Sequence, residues 1–207
     1  MTTTLGIKDV TRRTSNALIC AFLAISNQAF AGITIHFQGR AADAQAVERV
    51  VENSCERARA NGWSCERVAG DDIRRVDGIT ARKLVELEKT NDLAGSTGVV
   101  IRPHEMSEPL YLVFSRSGQM NNFVKTQFAG PDIHVKVVEL LEAIRPLLVS
   151  LEFEDEGGYA LTKDRAKLVK EFDGVDAAMA KIKREHPEAT GPIKRPDGRI
   201  LDLVSKK

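Results

Sequence analysis

The stretch Ile33-Thr-Ile-His-Phe-Gln-Gly39, followed by residues 41–60, Asn61-Gly62 and Trp63 to Val68, decides the fold. Its apolar residues change period twice. Ile33, Ile35 and Phe37 alternate with Thr34, His36 and Gln38, the period of two that marks a half-buried strand. From residue 41, Val47, Val50, Val51, Cys55 and Ala58 fall on one stripe of a helix. Asn61-Gly62 supplies the stop, since glycine tolerates the left-handed backbone that commonly ends a helix. Trp63 to Val68 then reads as a second strand, so the chain opens strand, helix, strand.

Downstream, residues 70–98 give the weakest pattern. Asp77-Gly78 has hairpin chemistry, 83–89 fits either a strand or a short helix, and Asp92 to Gly98 is loop by composition. Val99-Val100-Ile101 and Leu110 to Phe114 read as strands, Ser115-Arg-Ser-Gly118 as a turn, and Phe123 to Phe128 as a further strand. Gly130-Pro131 opens a helix with an apolar stripe of Ile133, Val137, Leu140, Leu141, Ile144 and Leu148, which Pro146 strains or ends. Leu151 and Phe153 alternate with Glu152 and Glu154 in a final strand. A helix over about 162–185 carries Leu168, Phe172, Val175, Met179 and Ile182, with Asp173-Gly174 as a candidate break. The expectation is an α+β fold: a mainly antiparallel open sheet with helices packed on one face, ferredoxin-like or an enlarged variant.

Upstream, residues 1–31 read as an address. Lys8, Arg12 and Arg13 precede the apolar run Ala17 to Ile25, and Ala29-Phe30-Ala31 gives the small-x-small pattern of a signal-peptidase site before Gly32. The run is too short to span a bilayer, which needs about 20 residues. A start assigned too far upstream of a cytoplasmic protein explains the same residues, so export and a cytoplasmic location both stay open. On either reading the organisation is a leader over 1–31, one α+β domain over 32–186 and a tail over 187–207, whose Ile200, Leu201, Leu203 and Val204 fit either a small docked hairpin or a frayed end.

The 207 residues carry 30 basic and 29 acidic side chains. Taking Lys8, Arg12, Arg13 and Asp9 away with the leader leaves the remainder near −1, a balance that argues against a dedicated nucleic-acid binder. Asn122 to Phe128 faintly echoes the aromatic strand of an RNA-binding sheet but lacks its glycines and aromatic spacing. The tail is locally basic, with eight basic and four acidic residues from Lys181 to Lys207. No second apolar segment is long enough to be transmembrane. Outside the leader the cysteines are Cys55 and Cys65, read as two small buried thiols, with a disulfide as the alternative if the protein is exported.

Catalytic signatures are missing: there is no GxxxxGK[ST] loop, no GxGxxG after a strand, no HExxH and no GxSxG elbow. Candidate binding residues concentrate between Asn121 and Tyr159. Lys125 and Gln127 share a strand face. His134 sits in the first turn of a helix, where free backbone N–H groups favour anions. Glu154, Asp155 and Glu156 lead into Gly157-Gly158-Tyr159. The acidic run reads most simply as a solvated strand edge, which also discourages pairing with another chain. The helix start and the loop after the last strand are expected at opposite ends of a strand–helix–strand unit, which would separate His134 from Glu156. His36, His104 and His134 are too scattered to be expected as a metal set, and no cofactor is implied. The leading expectation is a non-enzymatic binding or interaction module that contacts a protein or small molecule. The alternative is a small hydrolase or metal-dependent enzyme using His134 and nearby carboxylates.

Overall fold

The computed structural model describes residues 32–70, 73, 93–196 and 198–204. The leader, the Asp77-Gly78 hairpin and the ambiguous segment 83–89 lie outside the described residues. The chain forms β1 (Thr34–Arg40), α1 (Ala44–Ala60), β2 (Ser64–Ala69), β3 (Thr97–Arg102), β4 (Leu110–Phe114) and β5 (Gln119–Lys125). It continues with α2 (Pro131–Ile144), β6 (Ser150–Asp155), α3 (Tyr159–Thr162), α4 (Arg165–Glu185), β7 (Ile193–Lys194) and β8 (Ile200–Leu201).

Local chemistry accounts for the element ends. Asp43 caps α1, its carboxylate accepting the Ala46 N–H at 2.7 Å. Asn61-Gly62 ends the same helix, with Gly62 at φ +73°. Pro131 opens α2, and the turn containing Pro146 is a 3-10 helix over Arg145–Leu147 that follows directly on α2. The helix α4 runs unbroken through Asp173-Gly174, because Leu168, Phe172 and Met179 keep one buried stripe while Gly174 faces solvent.

Two three-stranded antiparallel sheets carry the fold, in the orders β5-β1-β6 and β2-β3-β4. Ile35 stands opposite Val124 on one side and Asp155 on the other. Val99 stands opposite Leu112, and Cys65 opposite Ile101. The turn at Ser115–Gly118 connects the sheets, with the Ser115 N–H donating to the Gln119 carbonyl at 2.8 Å. Cys55 near the end of α1 and Cys65 in β2 form a disulfide. Closing a loop of that size stabilises a fold by about 2–3 kcal/mol.

The main core unites α1, α2 and one face of the strands through Ile35, Phe37, Val50, Ile101, Leu112, Leu141 and Ile144. Truncating a side chain buried that fully to alanine costs about 2–5 kcal/mol. A second cluster of Val68, Ile73, Val100 and Tyr111 covers the other face of β3, which is therefore buried on both sides. Helices combined with antiparallel sheets in this way make an α+β fold. Among the described residues, no helix is long and apolar enough to cross a membrane.

Because β5 and β6 each run opposite to β1, they are parallel to one another, with β1 between them and α2 crossing from one to the other. In such a unit the helix starts where the first strand ends, and the second strand ends at that same rim. The helix start and the end of β6 therefore share one rim rather than the opposite ends expected: His134 Nε2 lies 2.9 Å from Asp155 Oδ1, while Glu156 is turned to His36.

Candidate functional site

The shared rim gathers Thr126 just after β5, His134 in the first turn of α2 and Asp155 at the end of β6. Thr126 Oγ1 is 2.7 Å from His134 Nδ1. The Asp155 carboxylate accepts the Gly157 N–H through Oδ1 and the Ala160 N–H through Oδ2, both at 2.8 Å. Its Oδ1 also stands 2.9 Å from His134 Nε2. Phe172 of α4 meets the imidazole edge-on at 5.9 Å, and a Cβ on Gly157 would lie 3.1 Å from His134 Nε2.

Burial alone would raise the Asp155 pKa. The hydrogen bonding and charge of His134, with the N–H groups of Ala160 and Gly157, outweigh it and hold the carboxyl below the usual aspartate range. A hydroxyl, an imidazole and a carboxylate in sequence are the parts of an activated nucleophile. Here the His134 residue is 0 % exposed and the Asp155 side chain 2 %, so the chain of groups is sealed from substrate. In this state it ties β5, α2 and β6 together with the loop that follows.

The outer face of β5-β1-β6 has the opposite character. His36, Gln38, Asn121, Glu152 and Glu154 are exposed on it and border an open depression of about 410 Å³. Gln38 Nε2 donates to Glu152 Oε2 at 3.2 Å. Glu156 Oε2 accepts the Thr34 N–H at 2.9 Å, and its Oε1 stands 3.6 Å from His36 Nε2. The rings of His36 and Phe123 are 5.8 Å apart. Glu152, Glu154 and Glu156 thus follow one edge of the face, with His36 beside them and Arg40 at the far end of β1. Among the described strands, β6 has a ladder partner on one side only.

The C-terminal hairpin, β7 against β8, covers the neighbouring part of that face. The Arg199 guanidinium lies 5.2 Å from the Phe123 ring centre, and the Lys125 ammonium pairs with Asp202 at 2.5 Å. Glu108 accepts the Ile200 N–H at 3.1 Å.

The sequence-derived candidates therefore divide. His134 and Asp155 come together in the sealed cluster, and half-buried Tyr159 packs beside it against the core. Glu154 and Glu156 belong to the open face. Lys125 is held by the hairpin. Gln127 lies past the end of β5, buried, its Nε2 donating to the Met179 sulfur at 3.2 Å. Thr126 and Glu108 were absent from the sequence-derived set. His134 did carry a signal, since it shares a helical face with Val137, Val138 and Leu141 at spacings of three, four and seven. A histidine on such a face requires a buried polar partner.

Among the described residues no group of three or more His, Cys, Asp or Glu side chains is placed to hold a metal ion. No protein-family model, no curated protein and no solved structure matches the chain.

Proposed function

We propose that this protein is a non-enzymatic binding module whose outer β5-β1-β6 face takes an extended, basic segment of a partner protein. One observation carries the reading: the part of the face that no described element covers is also the acidic one, bordered by Glu152, Glu154 and Glu156. A strand added along β6 would find main-chain hydrogen-bonding groups, and its alternate side chains would stand about 5 Å from Glu152 and Glu154. Lysine or arginine at those alternate positions is the complementary chemistry. The split β5–α2–β6 unit under two helices is the feature in common with an enlarged ferredoxin-like arrangement.

The test is fluorescence anisotropy of a labelled ten-residue peptide with lysine at alternate positions, against the full chain at low and moderate salt. Binding is expected to weaken with salt and to loosen about tenfold or more when Glu152→Lys and Glu154→Lys reverse the face. Equal binding by the reversed protein, or preference for a glutamate-bearing control peptide, refutes the reading.

The Thr126–His134–Asp155 chain supports a second reading, a hydrolase that works when the loop over residues 156–160 opens. It requires turnover of an activated ester that disappears in His134→Asn while peptide binding persists.

A further inference from the structure

Gly32 lies in the wall of a second cavity, of about 150 Å³, with Gln127, Val175, Met179, Ile182, Asp202 and Leu203. The Gln127 residue is 4 % exposed, and its Oε1 has no hydrogen-bond partner. A buried amide oxygen left so costs a fold about 1–3 kcal/mol. Its Nε2 is turned to the Met179 sulfur, which accepts but cannot donate, so the oxygen is the free end. Gly32 lies beside that oxygen: a Cβ there would fall inside contact distance of Oε1 and 2.6 Å from Lys125 Cε. Asp202 lines the same cavity while its carboxylate pairs with Lys125.

Two independent features converge on the bond just before this residue. Ala29-Phe30-Ala31 ends the signal-like leader at Gly32, and small residues at those positions are what a signal peptidase accepts. The Cys55–Cys65 disulfide is a bond that oxidising compartments favour, and signal-peptidase products reside in such compartments. We infer that the Ala31–Gly32 peptide bond is the processing site of an exported precursor, and that the α-ammonium released there docks against Gln127 Oε1 and Asp202.

The chemistry is hydrolysis by a signal peptidase, with water as co-reactant. The C–N bond breaks, the water oxygen stays on the Ala31 carbonyl carbon as a carboxylate, and the Gly32 nitrogen leaves as an amine that is protonated at neutral pH. An ammonium supplies the donor that Gln127 lacks. Lys125 is the neighbouring cation, and Asp202, already paired with it, serves both charges. A side chain at position 32 would crowd the oxygen the ammonium needs, and glycine avoids that. The inference is independent of what the outer β-sheet face binds.

The test starts from the full chain expressed in an exporting host. Intact mass should show a protein beginning at Gly32 and lighter by the two hydrogens of one disulfide. A retained leader, or cleavage at another bond, overturns the inference. The processed protein is then treated with an aminopeptidase that releases N-terminal glycine, and loss of Gly32 is followed by mass. Docking should slow release about tenfold relative to Gln127→Leu, as expected for one hydrogen bond to a charged group. Asp202→Asn, which removes the carboxylate charge from the cavity wall, should give a change in the same direction. Release from the parent as fast as from both variants overturns the docking.

Discussion

His134 and Asp155 face each other 2.9 Å apart in a sealed pocket, although they come from α2 and β6 and neither is exposed to solvent through its side chain. Three backbone segments meet through that contact, because Asp155 also holds the Gly157 and Ala160 N–H groups and His134 reaches Thr126. A carboxylate buried in this manner is stabilising only while its partners are present.

Replacing Asp155 by asparagine should therefore cost about 2–4 kcal/mol at neutral pH, since one carboxylate acceptor becomes an NH₂ group facing a backbone N–H. The pH dependence has a definite sign. The folded Asp155 pKa lies below its unfolded value, so its stabilisation is complete above the ordinary aspartate value near 3.9 and fades as pH falls through the folded pKa. Urea denaturation of parent and Asp155→Asn proteins, run from neutral pH into acid, should show the gap between them closing below about pH 4. A gap that stays constant would mean that the charge of Asp155 contributes nothing to the fold.

Two glycines near each other in sequence should respond oppositely to alanine. At Gly157 a Cβ would lie 2.7 Å from Leu168 Cδ1 and 3.2 Å from Asp155 Oδ1, so Gly157→Ala forces α4 or the imidazole to move. The expected loss is about 1–3 kcal/mol, typical of overpacking. Gly174 has nothing near its Cβ position and sits inside α4, so Gly174→Ala should gain about 0.5–1 kcal/mol. Denaturant midpoints for the two proteins decide the matter, and a shift of the same sign in both would contradict this packing of α4.

These positions also mark how far the sequence can be read. The alternation of Ile35 and Phe37, and the Val47–Ala58 stripe, are local patterns with one physical solution, and β1 and α1 occupy those segments. The uninterrupted α4 was harder, because Asp173-Gly174 looks like a stop although the buried stripe passes it on another side of the helix. The His134–Asp155 contact was invisible for a different reason. It depends on β6 lying across β1 from β5, a long-range pairing that no local period records. The sequence places Gln127 in a strand, on one face with Lys125. The chain instead turns after Lys125, where the Thr126 N–H donates to the Ile33 carbonyl and the Ala129 N–H to the Thr126 carbonyl. The open acidic face follows from the alternation of β1 and β6, but its partial cover by the C-terminal hairpin does not.

That cover supplies the last prediction, at Glu108. Its side chain is buried where β8 docks, accepting the Ile200 N–H at 3.1 Å, with Arg199 Nε 3.8 Å away. Burial raises its pKa above the ordinary glutamate value, and the Ile200 hydrogen bond and the charges of Arg199 and Lys125 offset only part of that. With the folded value above the unfolded one, the contribution of Glu108 is most favourable below the ordinary range near 4.3 and declines as pH rises through the folded pKa. Glu108→Gln keeps an acceptor for Ile200 without a charge to bury, so it should match or exceed the parent in stability at neutral pH and lose that advantage near pH 4. Glu108→Ala leaves the Ile200 N–H unpaired and should cost about 1–3 kcal/mol, with faster hydrogen exchange at that amide. If Glu108→Gln frees the hairpin as fully as Glu108→Ala does, the charge pair with Arg199, rather than the hydrogen bond, is what holds β8 in place.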